Sequence, residues 1–344
     1  MLTKELEERI EKALQQLCHP SLPKGEMGVC IYYFVMGRMA HDACLTQKGE
    51  KALQRIMSGM ARYKKLSIEK GVTGLGLGVT YLLRHGYVEG DINEVLRDID
   101  SYVYKGIEVI IENEELTDGK LPVLDVLIYF VERYVDTLNP VRKMFYQRMV
   151  TRLFNHVYVH RPDTFYQESL PFNLMKDSCL FMSVLVRIHE LGIERKRIAR
   201  IFNEMKIFLF SNVPLSQANR LQLLTVARMV GKCTDDSDWL DYADRLSQGV
   251  SLHHVLEEEL MDKSILPMSG VIGVWLLVRQ NLRMGFRLNP GLTASELRER
   301  VLRSSIWNRI EKDGEYLCNC YSLDGYCGVK IFLEYLGKEK ANEI

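Results

Sequence analysis

A short glycine pair recurs along this chain, each time just ahead of an apolar segment. The copies read Gly25-Glu26-Met27-Gly28, Gly71-Val72-Thr73-Gly74, Gly270-Val271-Ile272-Gly273 and Gly325-Tyr326-Cys327-Gly328. Degenerate copies in the same register occupy 119–122, 176–179 and 216–219. The starts at 25, 71, 119, 176, 216, 270 and 325 give a mean period of about 50 residues, the mark of a repeat architecture.

The segments behind these motifs, 29–36, 75–83, 123–131, 180–188, 221–230, 271–278 and 329–336, are apolar on most sides, as buried helices are. Amphipathic stretches alternate with them, near 3–17, 47–63, 91–112, 139–157, 194–210, 236–260 and 294–311. In the first, Leu6, Ile10, Ala13, Leu14 and Leu17 fall at helical spacing. Asp91 with Glu94, and Thr293 with Glu296, have the capping-box spacing. Strict alternation is almost absent, so the expected class is all-α. Thirteen residues after the motif starts stand Arg38, Arg84, Arg283 and Lys338, where a cation meets the negative end of a helix dipole.

Seven outer–inner hairpins can close into an α/α toroid of seven inner and seven outer helices. All inner N-termini then meet at one rim. The glycines there either allow tight packing or leave backbone N–H groups open to a ligand. Asp118, Glu168, Lys176, Asp177, Ser269, Asp324 and Tyr326 place polar groups at this rim, with Met175, Met268 and Cys327 beside them.

The 45 cationic and 45 acidic side chains cancel, which argues against a nucleic-acid partner. The acidic start Met1-Leu2-Thr3-Lys4-Glu5 does not read as a secretory signal, and the longest apolar run, near 271–278, is too short to cross a bilayer. The 8 cysteines are scattered without a CxxC pair, which predicts reduced thiols in a cytoplasmic protein with no membrane association.

The segment Lys70-Gly71-Val72-Thr73-Gly74-Leu75-Gly76-Leu77-Gly78-Val79-Thr80-Tyr81-Leu82-Leu83, followed by Gly86-Tyr87-Val88-Glu89-Gly90-Asp91, resembles the lanthionine synthetase C-like family, in a divergent bacterial branch. The resemblance implies a single toroid domain over 1–344. It also implies precursor peptides as partners, along with other peptide-maturation enzymes. Family cyclases add cysteine thiols to dehydrated residues, using zinc held by one Cys and a Cys-His pair, with a His as acid/base. Here Met268-Ser269 stands where the Cys-His pair is expected, 211–215 holds no Cys, and Met175 replaces the His. Zinc needs thiolate, imidazole or carboxylate ligands. The expectation is therefore a peptide-binding module of the rim, without metal, cofactor or zinc-dependent chemistry. The alternatives are a metal-independent cyclase or lyase, or a glycosidase using two of Asp118, Asp177 and Asp324.

Other groups read either way. Cys318, Cys320 and Cys327 could hold a metal or be free thiols. Cys30 and Cys179, at buried-helix starts, are either activated or packed. The pairs Cys18-His19, His156 with His160, and His253-His254 read more simply as structural or solvated than as ligands.

Overall fold

The computed structural model describes residues 8, 10–11, 20–113, 122–260, 264–288, 292–312 and 321–342. Among them there is no strand. The seven apolar segments all form helices, each longer than its apolar run: α1 (Glu26–Ala40), α3 (Val72–Arg84), α5 (Pro122–Asp136), α7 (Asp177–Glu190), α9 (Gln217–Thr234), α11 (Val271–Arg283) and α14 (Tyr326–Asn342). Half-exposed helices alternate with them: α2 (Ala43–Ser58), α4 (Arg97–Asn113), α6 (Pro140–His160), α8 (Arg195–Leu209), α10 (Ser237–Gln248), α12 (Ala294–Arg303) and α13 (Ser305–Lys312). The stretch expected near 3–17 lies almost wholly outside the described residues.

Three amphipathic stretches are broken where the sequence suggests continuity. Asp91 caps only a single turn, Ile92–Val95, before α4 begins. Gly249 ends α10, and 255–259 forms a π-helical turn. Ser304 separates α12 from α13, and its Oγ accepts the Trp307 N–H at 3.1 Å. Thr293 and Glu296 form the full capping box.

The chain divides into two compact units. The first comprises 1–160 and 309–334, the second 161–308 and 335–344. In the first, α3 packs between α1 and α5, and α1 and α5 form hairpins with α2 and α6. The last repeat lies against the first: the Asp324 N–H donates to Pro23 O at 2.6 Å, and Ser322 Oγ to Gly25 O at 2.7 Å. The Tyr326 ring meets Tyr32 edge-on at 6.3 Å. In the second unit, α9 packs between α7 and α11, with α10 in hairpin on α9.

The two units share a hairpin design. In α1–α2, Gly37 lies against Thr46, His41 adopts the left-handed conformation and Asp42 caps the next helix. In α9–α10, Gly231 lies against Leu240, Asp235 is left-handed and Asp236 is the cap, at identical spacing. The residue after each glycine is a cation, and each reaches the C-terminal carbonyls of the neighbouring buried helix. Arg38 donates to His85 O and Gly86 O at 2.8 and 2.6 Å beyond α3, and Lys232 donates to Met284 O beyond α11. Arg38 and Lys232 also lie over the rings of Tyr87 and Phe286. Those two helices end alike, with left-handed Gly86 and Gly285 in Schellman-type turns that bring Tyr87 N–H to Leu82 O and Phe286 N–H to Asn281 O.

Candidate functional site

The glycine motifs are covered by their own loops. Ahead of α1, α3 and α11 the segment folds back so that a carbonyl oxygen rests on the glycine six residues later. A Cβ at Gly71 or Gly74 would overlap Lys65 O or Ile68 O, and at Gly28 it would overlap Leu22 O. A Cβ at Gly270 or Gly273 would come within 2.5 Å of Ser264 O or 2.7 Å of Pro267 O. The same loops take up the helix N–H groups. Val72 N–H donates to Lys65 O at 2.9 Å, Val271 N–H to Ser264 O at 3.0 Å and Cys327 N–H to Tyr321 O at 3.0 Å. This corrects the expectation of open backbone at these positions. The first N–H groups of α3, α11 and α14 are taken up within the chain, and glycine is the residue that lets a carbonyl approach so closely.

The start of α9 is closed by side chains. Glu168 accepts the Leu215 and Ser216 N–H groups at 2.7 and 2.9 Å and the Asn219 amide at 2.9 Å. Glu259, delivered by the π-helical turn, accepts Gln217 N–H, Ala218 N–H and Ser216 Oγ at 2.6, 2.8 and 2.9 Å. Burial works against the ionised form of Glu168. The Asn219, Leu215 and Ser216 donors together outweigh it and hold the carboxyl below its ordinary range. Both carboxylates are thus anchored as helix caps. Glu259 carries no signal in the local sequence, where 257–259 reads as a solvated charge run; its partners lie 41 to 43 residues away.

In the second unit a backbone bond links the loop that carries Met175 and Lys176 to the loop that carries Met268 and Ser269. Leu174 N–H donates to Met268 O at 2.8 Å, and Gln222 Nε2 donates to Leu174 O at 2.9 Å. Leu174 also packs 3.2 Å from where a Gly273 Cβ would lie. The loop ahead of α7, with Met175 and Lys176, therefore reaches the loop ahead of α11, with Met268 and Ser269. All four are half-buried. Met175 N–H is held by Asn173 Oδ1 at 2.8 Å, and Ser264 and Ser269 hydroxyls stand 3.4 Å apart. Lys176 is the N-cap residue of α7 and Asp177 its first residue. Glu168 belongs to the same unit.

Asp324, Tyr326 and Cys327 belong to the first unit. Tyr326 is only 2 % exposed, and Cys327 is fully buried, with its thiol pushed well above the ordinary value by burial. Asp118, Cys18, His19, Cys318 and Cys320 lie outside the described residues. Burial likewise pushes the Cys30 thiol up to about 12 and raises Cys179, so packing overrides any activation by a helix start. Cys233 Sγ stands 2.9 Å from His189 Nδ1, a contact the sequence does not announce. Burial raises this thiol to about 11 and lowers the imidazole, so burial favours the uncharged form of both partners. His156 and His160 stack at 4.3 Å, and His254 Nδ1 lies 3.1 Å from Glu258. Among the described residues no three His, Cys, Asp or Glu side chains form a metal-holding group.

A cavity of about 570 Å³ opens at the other end of the first unit's buried helices, between Asp91–Glu94 and Asp136–Arg142. Its polar groups are engaged in the fold. Asp91 and Asn139 cap helices, Asp136 pairs with Arg84 at 2.8 Å, and Arg142 donates to Asn93 O at 3.2 Å. Among the described residues no helix is long and apolar enough to cross a membrane. No family model and no curated protein matches this chain.

Proposed function

We propose that this chain is a lanthionine synthetase C-like toroid that binds a peptide, precursor or product, at the glycine rim during peptide maturation, without zinc-dependent cyclase chemistry. The observation that carries the reading is the backbone bond from Leu174 to Met268, which joins the Met175–Lys176 loop to the Met268–Ser269 loop. The resemblance places a catalytic His and a zinc-binding Cys-His pair at three of these positions. The chain instead supplies two thioethers and a hydroxyl, with an ammonium beside them, and this set can hold a peptide but not zinc. The helix order α1–α3–α5 in one unit, with the start of α14 against α1, and α7–α9–α11 in the other, consecutive buried helices alternating with half-exposed ones, supports the toroid.

Fluorescence anisotropy tests the reading. The probe is a labelled synthetic peptide carrying cysteine and dehydroalanine; a serine-for-dehydroalanine peptide is the control. Saturable binding is expected. Lys176→Ala should weaken it several-fold, since one polar contact contributes about 0.5–1.5 kcal/mol. Absence of binding, or thioether formation that requires added zinc, overturns the proposal.

A further inference from the structure

The outer face of the first unit carries apolar surface that its own packing leaves uncovered among the described residues. On α4, Tyr102 is 40 % and Val109 56 % exposed, with Tyr104 beside them. On α6, Val141 is 76 % and Met144 55 % exposed, with Phe145 beside them. The two helices form one continuous surface. The Tyr104 ring meets Phe145 edge-on at 5.4 Å, Arg152 pairs with Glu108, and Tyr146 donates to Asp100 at 2.7 Å. A helix at a protein surface ordinarily gives its wet face to polar groups, so six large apolar side chains on adjacent helices mark a contact surface.

The charges on this face say what covers it. Over its 21 residues α6 carries Arg142, Lys143, Arg148 and Arg152 and no Asp or Glu. On α4, with Asp100, Glu108 and Arg97 paired to Arg133, Arg152 and Glu94 within the copy, Asp98 and Glu112 stand exposed beside Lys105. One helix is basic and its neighbour leans acidic. We propose that this face joins two copies of the chain, with a twofold axis laying α6 of each copy against α4 of its partner. An isologous contact of this kind pairs each patch with its opposite. An anionic membrane fits less well, because exposed Asp98 and Glu112 would face its headgroups. A 21-residue helix is about 31 Å long, and two side by side offer roughly 600 Å², approaching the ~800 Å² per partner of a standard interface.

Light scattering coupled to size exclusion tests this on the full chain across the micromolar range. The expected mass is twice 39.9 kDa, falling toward one copy on dilution and with rising salt. Val141→Asp with Met144→Asp should give a monomer whose helical circular dichroism matches the parent, since both sites are exposed. Arg148→Glu should weaken the dimer at least several-fold. A parent that stays monomeric at high micromolar concentration overturns the proposal. So does a dimer that the double substitution leaves intact, or a monomer that sediments with phosphatidylserine vesicles through Val141 and Met144.

Discussion

A methyl group added at Gly74 has nowhere to go: it falls on the backbone carbonyl of Ile68, which also accepts the Leu22 N–H at 3.4 Å. Gly74→Ala should therefore cost about 1–3 kcal/mol, the usual toll of overpacking against atoms that cannot rotate away. Gly337, exposed on α14 with nothing within 4 Å of a Cβ, gives the opposite sign. Gly337→Ala should stabilise by about 0.5–1 kcal/mol through helix propensity. Urea unfolding of the two variants checks both signs. Glu168 provides a pH-dependent test. Its folded value is depressed, so its stabilisation is present above the unfolded carboxyl value and is lost as pH falls through the folded one. Glu168→Gln should cost about 1 kcal/mol at neutral pH, as cap removal does. In acid, once pH has fallen through the folded value, it should cost almost nothing, because the parent carboxyl is then protonated too. An equal loss at both pH values would show that the carboxylate charge does not hold the start of α9.

The helices were legible because burial leaves a local pattern. Apolar runs flanked by glycine mark α1, α3 and α11, and all seven buried segments became helices. The breaks at Leu96, Gly249 and Ser304 were not legible, since periodicity carries across a single-residue interruption. Partnership between helices was also hidden. Arg38 reads as a counter-charge for its own helix end, yet it donates to the carbonyls that close α3. Spacing along one helix reports that helix and not its neighbour. The same limit explains the site: register marked the loops of Met175–Lys176 and Met268–Ser269, which a backbone bond joins, whereas Glu259 answers to a helix start far along the chain. The repeated αL–Asp hairpin gives an element-scale prediction. Asp42 accepts Cys44 N–H at 2.8 Å and Asp236 accepts Asp238 N–H at 3.1 Å, each just after a left-handed residue. Asp42→Ala and Asp236→Ala should each lower stability by about 1 kcal/mol in chemical denaturation. Asp236 should lose more, because it also pairs with Lys206 at 2.7 Å, with a side chain 75 % buried.

At the scale of the whole molecule, the first unit is assembled from the two ends of the described chain. Its face on α1 is completed by residues about 297 positions later: Tyr321 OH donates to Lys24 O at 2.9 Å, and Ser322 Oγ donates to Gly25 O. Tyr321, Ser322, Tyr326 and Cys327 are all buried there, as are Tyr32 and Met27 on the facing helix. Contacts of such separation are entropically costly to form, so they are made only when the rest of the unit is in place. Without the closing segment, α1 would turn a fully apolar face and two carbonyls to water. A chain cut after Asn308 should therefore lose cooperative unfolding of the first unit, binding a hydrophobic dye and showing a broadened melt, even though all of α1–α12 remains. The milder variant Ser322→Ala should keep a two-state transition and lose about 1–2 kcal/mol, the cost of one buried hydrogen bond whose acceptor is left unmade. If the truncated chain instead melts as sharply as the parent, the contacts between the last and first repeats are incidental. The first repeat would then be held by α2 and α3 alone.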